Sequence, residues 1–229
     1  MIDFYYSPTP NGWKVGIMLE ECGLDYTTHL MSLTEGDQFK PEFLKISPNA
    51  KMPAIVDHET KGEPVTVFES GAILLYLAEK TGKFMPQDPI GKKESLEWLF
   101  WQVGNLGPMA GQHSHFHNYA PKDQDYSYKR YKGEYSRALA VLERRLEDRD
   151  YIVGDYSIAD MISFPWVLIA KAVHVPLDDF PNLIKWRAAI KERPAVRKAV
   201  DLYRKTQNHG QTAETNSTLF NQNAEHFKK

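Results

Sequence analysis

Every strand signal in this 229-residue chain falls before residue 83, and only helical spacing follows it. Ile2, Phe4 and Tyr6 alternate onto one face of a first strand, which Pro8 and Pro10 break. Val15, Met18, Leu19 and Cys22 then recur at helical spacing until Gly23 stops the helix. Further strands are predicted over 26–33, 53–56 and 65–68, with a short helix over 39–46. Ala72, Ile73, Tyr76, Leu77 and Lys80 continue as an amphipathic helix ending at Gly82. Early strand–helix alternation calls for a parallel crossover, and the close last strand pair calls for a hairpin. That order is an α/β thioredoxin-like domain over 1–82.

Pro86, Pro89 and Gly91 mark 83–91 as a linker. Beyond it, Tyr128, Tyr131, Tyr135, Ala138, Leu142 and Leu146 form one long apolar stripe at spacings of three and four. Ser157-Ile158-Ala159-Asp160 places a capping hydroxyl three residues before a carboxylate, a capping-box variant. Pro181 and Pro194 each precede another helical pattern, so 92–205 is predicted to be an all-α domain. The remaining 206–229 is polar, and reads either as a mobile tail or as a segment folding back over a ligand site.

A net charge of −2 gives no global field to attract nucleic acid, and no apolar run is long enough for a membrane span. The start lacks the layout of a signal peptide, and Cys22 is the only cysteine. A disulfide framework and a cysteine-rich zinc site are both excluded, and a reducing, cytoplasmic home is expected. Any thiol chemistry must therefore take its sulfur from a ligand.

Two motifs carry chemistry. Pro53 opens a strand after Met52. With a cis Met52-Pro53 bond, the Met52 backbone amide and carbonyl are left to pair with an extended peptide, whereas a trans bond gives an ordinary strand edge. Glu69-Ser70-Gly71 stands where a helix begins, with Ser70 as its expected N-cap. Helix-end amides suit a carboxylate and the adjacent Glu69 suits an ammonium, a pairing that fits an amino-acid head group; a plain capped helix is the alternative.

Together, in this order, the motifs resemble the glutathione site of glutathione transferases, over roughly residues 2–203. The resemblance implies that Met52 pairs with the cysteinyl backbone of glutathione and that Glu69 and Ser70 hold its γ-glutamyl end. The loop Pro8-Thr9-Pro10-Asn11-Gly12 looks like the nu-class branch, the bacterial glutathione-dependent disulfide-bond oxidoreductases. Gly36-Asp37-Gln38-Phe39, Ile46-Ser47-Pro48-Asn49 and Trp98-Leu99-Phe100-Trp101-Gln102-Val103 are similar to that branch as well. By position, Thr9 and Asn11 would face the glutathione sulfur, Gln38 and Lys51 the glycyl end, and Arg130 the partner's glutathione across a homodimer. Arg130 otherwise reads as a solvated charge.

The activity so implied is disulfide reduction with glutathione and a small disulfide as substrates. Transfer to electrophiles or hydroperoxides at the same site, and a non-catalytic glutathione-binding regulatory protein, are the alternatives. His113 and His117 share a helical face but lack a third ligand, so no metal is expected. Tyr5 and Tyr6 read as strand residues, and Cys22 as a buried structural thiol.

Overall fold

The computed structural model describes residues 1–121, 123–202 and 223–227. They separate into two compact units: Met1–Tyr76 with the described residues from Lys198 onward, and Leu77–Arg197.

The first unit runs β1 (Ile2–Tyr6), α1 (Pro10–Cys22), β2 (Tyr26–Leu30), α2 (Pro41–Leu44), β3 (Ala54–Asp57), β4 (Val65–Phe68) and the start of α3 (Ser70–Thr81). Its sheet has the order β2-β1-β3-β4. β1 and β2 are parallel, from Ile2↔Tyr26 to Tyr6↔Leu30, which requires a crossover, and α1 supplies it. β3 is antiparallel to both β1 and β4, so the hairpin is as expected. Ile2, Phe4 and Tyr6 are buried, as their alternation predicts.

Two boundaries differ from the sequence reading. β2 stops at Leu30 because the Asp37 carboxylate accepts the Ser32 amide at 2.7 Å and draws the chain off the sheet. The helix expected over 39–46 is divided into a 3-10 turn, Asp37–Phe39, and α2. Pro41 has no N–H to continue the first turn and starts the second.

The second unit holds the rest of α3, then α4 (Pro89–Trp101), α5 (Gly107–Asn118), α6 (Asp125–Arg145), α7 (Ile158–Ile169), α8 (Pro181–Lys191) and the first half of α9 (Pro194–Asp201). α4 begins inside the segment read as a linker, because Asp88 caps it by accepting the Gly91 amide at 2.8 Å with Pro89 at the first position. Between α4 and α5 the helix widens to a π stretch, Gln102–Leu106. Pro108 follows at once and cannot donate back along the helix, so this is where a wider turn relieves the ladder.

The capping box at Ser157 is present and reaches further than its own helix. Asp160 is fully buried and accepts from the Ser157 amide (3.0 Å), the Ile152 amide (3.0 Å) and the Trp186 indole (2.7 Å). One side chain thus ties the loop before α7 to α8. No helix among the described residues is long and apolar enough to cross a membrane. Most of the polar segment 206–229 lies outside the described residues; its turn Ala224–Phe227 sets the Phe227 ring edge-on to Phe39, 6.3 Å between centroids.

Candidate functional site

The first unit brings together the loop after β1, the start of β3 and the start of α3. At α1, Thr9 is the N-cap: its backbone is extended and its Oγ1 accepts the Gly12 amide at 3.3 Å. That bond uses an acceptor lone pair, so the Thr9 hydroxyl proton is left to point elsewhere. Gly12 is required, because a Cβ there would lie 2.3 Å from the Ser7 carbonyl oxygen. The first turn holds no acidic residue, so no carboxylate of the turn itself offsets the positive end of the helix dipole, and half-buried Asn11 sits in that turn.

The tyrosines next to this loop are committed elsewhere. Tyr6 is buried and donates to the Leu202 carbonyl at 3.2 Å, and burial pushes its phenol well above the usual value. Tyr5 stacks on His29 with centroids 4.8 Å apart. Cys22 is buried late in α1 against the Met18 sulfur at 3.9 Å. Cys22→Ser is therefore expected to leave turnover of a small disulfide unchanged within about twofold, as a buried inert thiol should; a steady-state assay of the variant checks this.

The Met52-Pro53 bond is cis. Both ladder registers of β3 end at Ala54, so Met52 lies beyond the paired strand. The Lys51 carbonyl is held by the Ser47 hydroxyl at 2.9 Å, while the Lys51 side chain is exposed.

Ser70 is not the N-cap of α3. Glu69 takes that position, since its carbonyl accepts the Ile73 amide at 2.9 Å, and Ser70 is the first helical residue. β4 ends at Phe68 and α3 starts at Ser70, so the chain must reverse direction within Glu69, which has φ 68°. Ser70 is buried and Glu69 exposed, with Asn49 Nδ2 3.5 Å from the Glu69 carboxylate.

Beneath them lies a residue that the sequence reading passed over. Lys14 is 2 % exposed, and its ammonium is 3.4 Å from Ser70 Oγ. Burial pushes it down to about 7, and Glu69 pulls in the opposite direction. The signal was there: one charge stands directly before the run Val15-Gly16-Ile17-Met18-Leu19, all buried.

Gln38 is buried, and its Nε2 donates to the Leu33 carbonyl at 3.3 Å. Among the described residues, Gln38 Oε1 has no hydrogen-bond partner. Arg130 lies in the second unit, exposed on α6 and paired with Glu134 at 3.1 Å. His113 is buried with one ring nitrogen 2.8 Å from the Val173 carbonyl, and the His117 ring packs on His174. Among the described residues no group of three or more His, Cys, Asp or Glu is placed to hold a metal ion.

A thioredoxin-like sheet with a cis proline at β3, followed by a helical unit, defines a class, and comparison with known proteins agrees with it. The glutathione S-transferase N-terminal domain matches residues 9–80 and the C-terminal domain matches residues 108–194, so the chain belongs to the glutathione S-transferase family. Disulfide-bond oxidoreductase YfcG of Escherichia coli is 49 % identical over 203 residues, which cover 87 % of this chain and 94 % of the relative. Disulfide-bond oxidoreductase YghU of the same organism is 39 % identical, covering 86 % and 73 %. A Burkholderia graminis glutathione transferase with two glutathione molecules bound per subunit superposes with a TM-score of 0.84 at 46 % identity, covering 91 % of this chain and 89 % of that one. One from Pseudomonas putida, with one glutathione disulfide bound per subunit, has a TM-score of 0.84 at 42 % identity and covers 91 % and 92 %.

Proposed function

We propose that this protein is a glutathione-dependent disulfide-bond oxidoreductase that reduces small disulfides at the expense of two glutathiones. The observation that carries the reading is that Cys22, the chain's only cysteine, is buried at the C-terminal end of α1, whereas the end suited to a thiolate is the N-terminal one at Thr9. The protein supplies an anion site and the ligand supplies the sulfur, in line with the name of YfcG as a disulfide-bond oxidoreductase and with the glutathione disulfide in the Pseudomonas putida structure.

In this reading the cysteinyl backbone of glutathione pairs with Met52, next to Pro53. Glu69 takes the ammonium of the γ-glutamyl group and Ser70 donates to its carboxylate. Lys51 meets the glycyl carboxylate. Gln38 contributes from below: the Leu33 carbonyl engages one hydrogen of its Nε2, which leaves the second as a donor and Oε1 as an acceptor for the glycyl end. Thr9 and Asn11 donate to the sulfur.

The glutathione thiolate attacks one sulfur of the substrate disulfide and forms a mixed disulfide. The other substrate sulfur leaves as thiolate and takes a proton from solvent. A second glutathione thiolate attacks the glutathione sulfur of the mixed disulfide, giving glutathione disulfide and releasing the second substrate thiolate. Two electrons pass from two glutathiones to one disulfide, and no metal takes part.

A homodimer in the cytoplasm, with Arg130 of each subunit reaching the other's glutathione, completes the reading. Arg130 would then exchange its Glu134 partner for a glutathione carboxylate. Turnover of 2-hydroxyethyl disulfide coupled to glutathione reductase tests the function, alongside conjugation of an aryl halide. Disulfide turnover is expected to exceed conjugation by about a hundredfold or more, the gap set by about 3 kcal/mol of differential transition-state stabilisation. Faster conjugation would replace the reading with conventional transfer. A monomer at all concentrations in sedimentation would remove both the dimer and the role of Arg130.

A further inference from the structure

Lys14 is a charged group that the chemistry above does not use, and it is the most deeply buried lysine in the site. Its ammonium is all donor, with no lone pair to accept a bond. Ser70, 3.4 Å away, can therefore meet it only as an acceptor. A serine hydroxyl has one proton, and with its oxygen turned to Lys14 that proton points away from the lysine. Ser70 lies at the first turn of α3, where the helix amides also favour an anion. The arrangement aligns a cation and a hydroxyl, which leaves the hydroxyl proton for an anion.

We infer that Lys14 is a positioning residue of the γ-glutamyl subsite, which from inside α1 orients the Ser70 hydroxyl toward the ligand's carboxylate and supplies the positive charge that the carboxylate neutralises. The inference rests on the glutathione reading above, and it adds a proton to the binding equilibrium.

Burial disfavours the charged form of Lys14 and pushes it down to about 7, against the pull of Glu69. A carboxylate arriving at Ser70 favours the charged form and raises that value. Around pH 8 the empty site is then mostly neutral and the filled site charged, so binding takes up a proton. Among the groups facing Lys14, Glu69 at the β4–α3 junction favours its charged form. Tyr6 on β1 stays neutral across this range, because burial pushes its phenol upward. Lys198 on α9 is paired with Glu20 at 2.8 Å, further along α1.

The test uses the full chain and S-methylglutathione, whose blocked sulfur removes thiol ionisation. Calorimetry in buffers of different ionisation enthalpy counts protons. Uptake is expected to rise from about 0.1 proton per ligand at pH 6 to about 0.9 at pH 8, with affinity about tenfold weaker at pH 8. Lys14→Met should abolish both the uptake and the pH dependence, and weaken binding at pH 6 by about tenfold or more, as expected for loss of a charge-assisted contact. Binding without proton uptake in the unmodified protein at pH 8 overturns the inference, whether or not Lys14→Met folds. An unchanged proton count in folded Lys14→Met also overturns it. Absence of binding at both pH values overturns the glutathione reading itself, and this inference with it.

Discussion

Asn11→Ala is expected to lower kcat/KM for 2-hydroxyethyl disulfide by about a hundredfold, the usual effect of removing one donor from a site that stabilises developing or resident negative charge. The reacting group is a thiolate, and its population at neutral pH depends on how strongly the protein favours the charged form. In the proposed reading three features at the start of α1 do so: the helix dipole, the hydroxyl of Thr9 and the side-chain amide of Asn11. Of the side chains, Asn11 can be removed without loss of a cap. Thr9→Ala should give a similar kinetic loss together with about 1 kcal/mol of stability, because its Oγ1 also holds the Gly12 amide. Comparing the two separates catalysis from folding. In Asn11→Ala the acidic limb of the kcat/KM profile should shift to higher pH, since a less stabilised thiolate needs a higher pH to form. Unchanged kinetics in a folded Asn11→Ala would remove Asn11 from the sulfur site.

Asp160→Ala is expected to destabilise the second unit by about 4 kcal/mol or more, because it orphans several buried donors at once, each worth about 1–3 kcal/mol. Burial pushes this carboxyl up to about 6, while the Ile152 and Ser157 amides, the Trp186 indole and the Ser157 hydroxyl pull it down. At pH 7 it is ionised and saturated with donors. Alanine leaves the Ile152 amide, the Ser157 amide and the Trp186 indole without their acceptor in a site closed to water. Asp160→Asn keeps an oxygen for Ile152 and Trp186 but turns an NH2 toward the Ser157 amide. It should lose about half as much, on the same cost for each donor. Urea unfolding followed by tryptophan fluorescence at pH 7 measures both. Equal loss in the two variants would show that charge, rather than the number of satisfied donors, holds this corner.

The features legible in the sequence are those decided within a few residues. Alternation at Ile2, Phe4 and Tyr6 gave β1, and Gly23 ended α1 in the left-handed conformation that glycine adopts readily. The Ser157–Asp160 capping box was readable because both partners lie within one helical turn. Met52-Pro53 and Glu69-Ser70 stood out as a strand start and a helix start in the right order. The sequence missed by one position at Ser70, because the reversal between β4 and α3 was short enough to need Glu69 itself.

What the tertiary structure decided are the partners far apart in the chain. Nothing local says that Lys14 lies under Ser70, 56 residues on, or that Asp160 reaches Trp186, 26 residues on. Nor does anything local say that Gln38 is buried with its amide on the Leu33 carbonyl. The reason is physical: propensity, capping and periodicity act through neighbours up to about four residues apart, whereas burial and the charge it perturbs depend on which elements pack together. The sequence by itself determined the strand start at Met52-Pro53 and the helix start at Glu69-Ser70, and only the packing showed that a buried lysine stands behind that serine.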